Sequence, residues 1–285
     1  MGKRKLFIKI FTLLLLFTTI LGTMSGSIYA QNKISTVKIN EYQVLKDANE
    51  EYNELKKNGS LTDSKFADYS KDSIYVIENY KEVYTEKIKD LQSKSIEVLK
   101  NFNYNNSQIE AIKSFDGSEE MMMLAASTCT VTGGYRNYTH GSNGTTIKLI
   151  AEFRWEGLSP NWFSDIFPVA WSSPMKVDSS VGYVKYKDTY GLNPKTFTHS
   201  PKAGGLYMSY MVFDKSKNID QKGYYVSDGS MIIELSASTD EVDIAGFADY
   251  GYTYISITPT VSFDGMSFSF SKGTTSMDTD RFYSN

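Results

Sequence analysis

Hydrophobic positions recur along this chain with two different periods, and the period changes near residue 127. Tyr42, Leu45, Ala48, Tyr52 and Leu55 fall three and four residues apart, which lines them on one face of a helix. Asn58-Gly59 ends that helix, and Thr62 or Asp63 can cap the next. Phe66, Tyr69, Ser73, Val76, Tyr80, Tyr84, Ile88, Leu91, Ser95, Val98 and Phe102 continue the spacing over many turns, predicting one long helix. Antiparallel packing of the two would bury both stripes, and the Tyr and Ser interruptions argue against a parallel coiled coil. Residues 106–109 start a short capped helix that Asp116-Gly117 stops. Ser118 then opens another, with Glu119 and Glu120 at its positive end. Met121, Met122 and Met123 on it are expected to pack the helices onto the second half of the chain.

Beyond residue 127 the pattern alternates. Ile147, Leu149, Ala151, Phe153 and Trp155 point one way, while Thr146, Lys148, Glu152, Arg154 and Glu156 point the other, the signature of a strand with one wet face. Val181, Tyr183 and Lys185 alternate with their neighbours, and residues 206–213 are apolar on both faces, which predicts a central strand. Asp228-Gly229, between residues 224–227 and Met231, Ile233 and Leu235, is the strongest tight-turn signal in the chain. Asp264-Gly265 repeats it before Met266, Phe268 and Phe270, and Pro259 suggests an edge or a bend. About eight to ten strands joined by short turns predict a two-layer arrangement. The expected fold class is therefore α+β: an N-terminal helical hairpin followed by an antiparallel β-sandwich, jelly-roll-like. The expected boundaries are 31–127 for the helices and 128–285 for the sandwich.

Residues 1–30 have the layout of a secretory signal. Lys3, Arg4, Lys5 and Lys9 precede an uncharged apolar run over residues 10–21, and Ile28 and Ala30 stand before a cleavage point. The run is short for a membrane span. The protein is thus expected to be secreted, extracellular and released by cleavage. Loss of those four cations takes the formal charge from −3 to −7. Such a charge, with only four Arg, disfavours nucleic acid as a partner. The one cysteine, Cys129, cannot form an intrachain disulfide and reads as a small buried side chain. It lies too far along the chain for lipidation.

Candidate chemistry is sparse. Residues 159–168 open with a cap and a first-turn proline, Ser159 and Pro160, and gather Trp162, Phe163, Ile166 and Phe167 on one side of a short turn. These four are the candidate binding loop, able to stack on sugar rings or dip into a membrane interface. The plainer alternative is a plug closing one end of the sandwich, since large aromatics are mostly buried. His140 and His199 lack metal-ligand spacing. Asp240, Glu241 and Asp243, or Asp278 and Asp280, could hold calcium but fit solvated turns better. Glu152 and Glu156 share a wet strand face with Arg154, which is more simply a charge ladder than a glycosidase pair. No nucleophile elbow, zinc helix or phosphate loop occurs, so no catalytic residue, cofactor or metal is assigned.

Residues 108–119 (Gln-Ile-Glu-Ala-Ile-Lys-Ser-Phe-Asp-Gly-Ser-Glu), and Phe153-Arg154-Trp155 followed by Pro160 and Asp165, resemble stretches of secreted Gram-positive bacterial proteins of unknown function. The resemblance covers about a fifth of the chain and implies a signal, a helical leader region and a C-terminal β domain, with no activity attached. The leading expectation is a non-catalytic secreted protein whose sandwich binds an extracellular protein, a glycan or a membrane surface. The alternatives are an antagonistic or membrane-acting protein with residues 31–127 as a prosegment, cut near Ala125-Ala126-Ser127, and a hydrolase with an unrecognised site.

Overall fold

The computed structural model describes residues 35–59, 71–159, 162, 164–214, 216–239, 245–248 and 250–253, with short strand segments at 260–262, 267–269, 274–275 and 281–283. The expected signal, Pro160, Phe163, both acidic clusters and the Asp264-Gly265 turn lie outside the described residues. Ile34–Asn285 form one compact unit. It is α+β, with helices preceding two main antiparallel sheets.

The described helices are α1 (Glu41–Lys57), α2 (Lys71–Glu78), α3 (Tyr80–Ser93), α4 (Ile96–Asn101), α5 (Asn106–Lys113) and α6 (Glu119–Ala125). The first stripe is buried as its spacing requires, with Tyr42, Leu45, Ala48 and Tyr52 all in the interior. The second stripe is buried too, at Val76, Tyr84, Ile88, Leu91 and Phe102, but its helix is not continuous. Lys94 adopts an extended conformation, and the Ser95 hydroxyl accepts from the Val98 amide at 3.2 Å to cap α4. Ser95, one of the stripe positions of the expected long helix, serves here as a cap that restarts the chain in a new direction. Asn105 and Gln108 form a reciprocal capping box on α5, and Ser118 caps α6.

The larger sheet joins β1 (Ser35–Asn40), β2 (Thr128–Thr139), β3 (Thr145–Glu156), β10 (Lys222–Ala237), β5 (Lys176–Asp188) and β6 (Lys195–His199), in that spatial order, with β9 (Ser216–Ile219) beside one end of β10. The smaller sheet centres on β4 (Ser164–Trp171). It pairs with β8 (Met208–Asp214) on one flank and with β11 (Ala245–Ala248) and β12 (Gly251–Thr253) on the other. Short strands β7 (Lys202–Ala203), β15 (Thr274–Thr275) and β16 (Arg281–Tyr283) extend it, and β13 (Thr260–Ser262) pairs separately with β14 (Ser267–Ser269). Alternation on β3 is as expected: Ile147, Leu149, Ala151, Phe153 and Trp155 all enter the core. They meet Phe167, Val169 and Trp171 of β4 and Met211 and Phe213 of β8. Phe153 stacks on Phe213 at 5.4 Å and meets Phe167 and Tyr250 edge-on.

Three expectations need correction. Residues 164–171 form the central strand of the smaller sheet, not a turn, and β8 is flanked by β4 and only the two-residue β7. The cap-and-proline signal at 159–160 concealed this strand. Its own Pro168 falls in the gap between β12, which pairs with residues 164–166, and β11, which pairs with 169–171. Second, β1 precedes the helices and pairs with β2, so the first segment after residue 34 belongs to the sheet.

Third, Asp228-Gly229 makes no hairpin, because β10 runs unbroken between β3 and β5. Ser227 is the extra residue of a bulge between Val226 and Asp228. Gly229 is required by crowding, since a Cβ there would lie 2.6 Å from the Phe153 ring and 2.7 Å from the Tyr183 carbonyl. Gly229→Val should therefore destabilise the fold by about 1–3 kcal/mol, read as a lower urea midpoint with an unchanged slope.

Candidate functional site

The wet face of the larger sheet is laid out in rows that cross five strands. One row reads Thr130, Arg154, Asp228, Lys185 and Thr196, the next Thr132, Glu152, Ser230, Tyr183 and Thr198. Over these rows lies a groove of about 720 Å³. Asn103, in the turn after α4, lines it as well; its side-chain amide donates to the Trp155 carbonyl at 3.4 Å, and its backbone is left-handed.

Charges in the groove are unevenly matched. Asp228 stands between Arg154 and Lys185 in its row and bonds Lys185 at 2.8 Å, while the Ser227 hydroxyl reaches its other oxygen at 2.8 Å. Lys187 donates to the Asn101 carbonyl at 2.7 Å. Burial pushes its ammonium pKa down; Asp228 opposes this, and Arg154 and Lys185 add to it. Arg154 and Glu152 are exposed, and neither side chain makes a hydrogen bond or ion pair among the described residues. Tyr183 is 37% exposed on the same face. Other carboxylates of this face are engaged: Glu156 bonds Lys38 and Thr128, and Glu234 bonds Lys148 and Ser179.

The loop joining β5 to β6 packs against the helices nearby. Asp188 organises it, accepting from the amides of Tyr190 and Leu192 at 3.0 and 2.9 Å and from the Asn193 side chain at 2.7 Å. Asn101 donates to the Tyr190 carbonyl at 3.1 Å, which seats the loop on α4. Burial raises the Asp188 pKa, but the Asn193, Leu192 and Tyr190 hydrogen bonds outweigh it and hold the carboxyl below its ordinary value of 3.8. A depressed carboxylate stabilises the fold above its unfolded pKa, and that contribution is lost as pH falls through the folded value. The stability gap between the natural protein and Asp188→Asn should therefore be widest near neutrality and close as pH drops below the aspartate range, in urea titrations at successive pH values.

Among the described members of the candidate loop, two lie in the interior of a strand. Ile166 and Phe167 are fully buried in β4, and Phe167 belongs to the sandwich core. Trp162 packs on the helical layer instead. Its ring meets Tyr84 edge-on at 6.0 Å and has the Lys87 ammonium 5.2 Å away. Lys87 bonds both oxygens of Glu41, at 2.5 and 2.7 Å, with Glu41 2% and Lys87 13% exposed. Burial pushes the Lys87 pKa down, and Glu41 opposes it. These residues tie helices to sheet and form no ligand site.

The two histidines do not meet either. His140 is exposed beside Tyr138, while His199 ends β6, half-buried against Phe213. Among the described residues no group of three His, Cys, Asp or Glu could hold a metal, and no helix is long and apolar enough to cross a membrane. Sequence reasoning found Glu152 and Arg154 on a wet face but not the groove, because the row is set by pairing between strands distant in sequence. Lys87→Met, which strands Glu41 in the interior, should cost about 3–5 kcal/mol of stability. The pair Glu41→Gln with Lys87→Met should cost less than Lys87→Met alone, by the same denaturation measurement.

No protein-family model matches this chain, and no curated protein does. Solved structures that superpose on it include one described as "Pore forming protein", at 10% identity over 55% of this chain and 84% of that one, with a TM-score of 0.26. Another is the Clostridium perfringens NetB toxin in its membrane-inserted form, at 9% identity over 55% and 91% of the two chains, TM-score 0.26. A third is the KRT10-binding region domain of the pneumococcal serine rich repeat protein PsrP, at 9% identity over 45% and 80%, TM-score 0.23. At these scores the likeness carries neither fold assignment nor function.

Proposed function

We propose that this chain is a secreted, non-catalytic binding protein that takes an extracellular partner in the groove on the wet face of the larger sheet. The observation that carries this reading is that Arg154 and Glu152, neither ion-paired among the described residues, stand together with exposed Tyr183 in one concave patch. The patch lies on hydrogen-bonded strands over a packed aromatic core, so its geometry is fixed before any partner arrives. Catalysis fits the groove poorly. Asp228 is engaged by Lys185 and Ser227, and Glu152 is exposed to water. A general acid needs a more enclosed setting. Secretion rests on the signal-like residues 1–30.

The prosegment alternative is weakened by two facts. Ala125, Ala126 and Ser127, the small-residue junction, are all buried, and the Ala126 and Ser127 carbonyls accept bonds from Gln108 and the Glu41 amide. Removing residues 31–127 would also strip β1 from β2 and turn the twelve-residue β2 into the edge strand. The test is adsorption of the labelled full chain to cell surfaces and to immobilised extracellular-matrix proteins and glycans. Arg154→Ala combined with Tyr183→Ala should weaken retention by about tenfold or more, with an unchanged thermal melt. Equal retention by the double variant would sink the groove as the binding surface.

A further inference from the structure

Resting on that reading of the groove, we propose its ligand class: an oligosaccharide built from uronic acids, its carboxylate gripped by Arg154 and one sugar ring stacked on Tyr183. The groove holds three cations, Arg154, Lys185 and Lys187, against two carboxylates, Glu152 and Asp228, on a chain whose formal charge is −3. This is a local reversal of sign, and a concave patch with a cationic excess attracts anions. Lys185 and Lys187 are already held, by Asp228 and by the Asn101 carbonyl, so Arg154 is the cation left to a ligand. Its planar fork suits a carboxylate bidentately.

Arg154 and Tyr183 lie on one face, two strands and one row apart. Sheet spacing puts their Cα atoms about 12 Å apart. A ligand that meets both must be extended and amphipathic, with a flat apolar patch at one end and a carboxylate two units along. An acidic sugar chain has both, since pyranose rings offer C–H faces to an aromatic ring. Thr130, Thr132 and Ser230 between and beside them supply donors and acceptors of the kind sugar hydroxyls use. A polyanion as dense as nucleic acid would meet the acidic remainder of the chain. A protein partner would want a larger apolar centre than one tyrosine provides.

Isothermal titration of the full chain with oligogalacturonate and hyaluronan oligosaccharides tests this, alongside methyl-esterified oligogalacturonate, a neutral cello-oligosaccharide and an oligoglutamate peptide. The expected result is binding of at least one acidic saccharide, weakened about tenfold or more by Arg154→Gln or by methyl esterification. Tyr183→Ala should weaken it by a similar factor, and Glu152→Gln should tighten it several-fold by removing a like charge. Neutral and acidic saccharides binding alike, with Arg154→Gln silent, would overturn the acidic class and keep the groove. Arg154-dependent binding of the peptide alone would overturn the saccharide and keep the groove. Binding that no groove substitution changes would overturn both readings.

Discussion

The fold turns on one buried ion pair. Glu41 is the first residue of α1 and directly follows β1; its amide bonds the Ser127 carbonyl at the start of β2, and its carboxylate holds Lys87 of α3. One residue thus fixes the end of an edge strand, the start of a helix and the approach of a second helix. Two charges removed from water contribute little net stability, because desolvation offsets their attraction. What they impose is register, since any other docking of α1 on α3 leaves a charge alone in the interior. Tyr84 and Trp162 pack their rings beside the ammonium, and Leu158 brings the loop after β3 to the same place. From this point hydrogen bonds spread to the sheet: Gly157 to the Phe102 carbonyl, Ser127 to Leu158, and Asn103 to Trp155.

The sheet shows the opposite economy. On its dry face nearly every position is aromatic or aliphatic, and Phe153 touches three other rings. On its wet face the cross-strand charges mostly satisfy one another, as at Glu156 with Lys38 and Glu234 with Lys148. Exposed pairs of this kind contribute little individually. Their importance is negative: by cancelling, they leave Arg154 and Glu152 as the uncancelled charges of the groove. The bulge at Ser227 sets this up, because the extra residue brings Asp228 opposite Lys185.

Much of the architecture was legible in the sequence. The stripe from Tyr42 to Tyr52 and the alternation from Ile147 to Trp155 are local patterns, and both are buried as read. What misled the reading was also local. Ser159-Pro160 spoke for a turn and Asp228-Gly229 for a hairpin, but tertiary pairing decided both, by drawing residues 164–171 into the middle of a sheet and by placing Phe153 against Gly229. The groove was half visible. Glu152 and Arg154 could be placed on one face of one strand, whereas Tyr183 and Asp228 join them only through a register that periodicity does not encode.

Because β1 and β2 are antiparallel neighbours, the whole helical layer is topologically the loop of a β-hairpin, enlarged to roughly 90 residues. Closing a loop of that length costs about 3 kcal/mol more entropy than closing a tight turn. β1 therefore has no reason to find β2 early. The helices are joined by contacts that reach across the layer, such as Glu41 with Lys87 and Lys46 with Glu119, and their packing brings Asn40 within reach of Thr128. The helical layer acts as the device that shortens the chain between the first strand and the second, and the larger sheet gains its edge strand only through it.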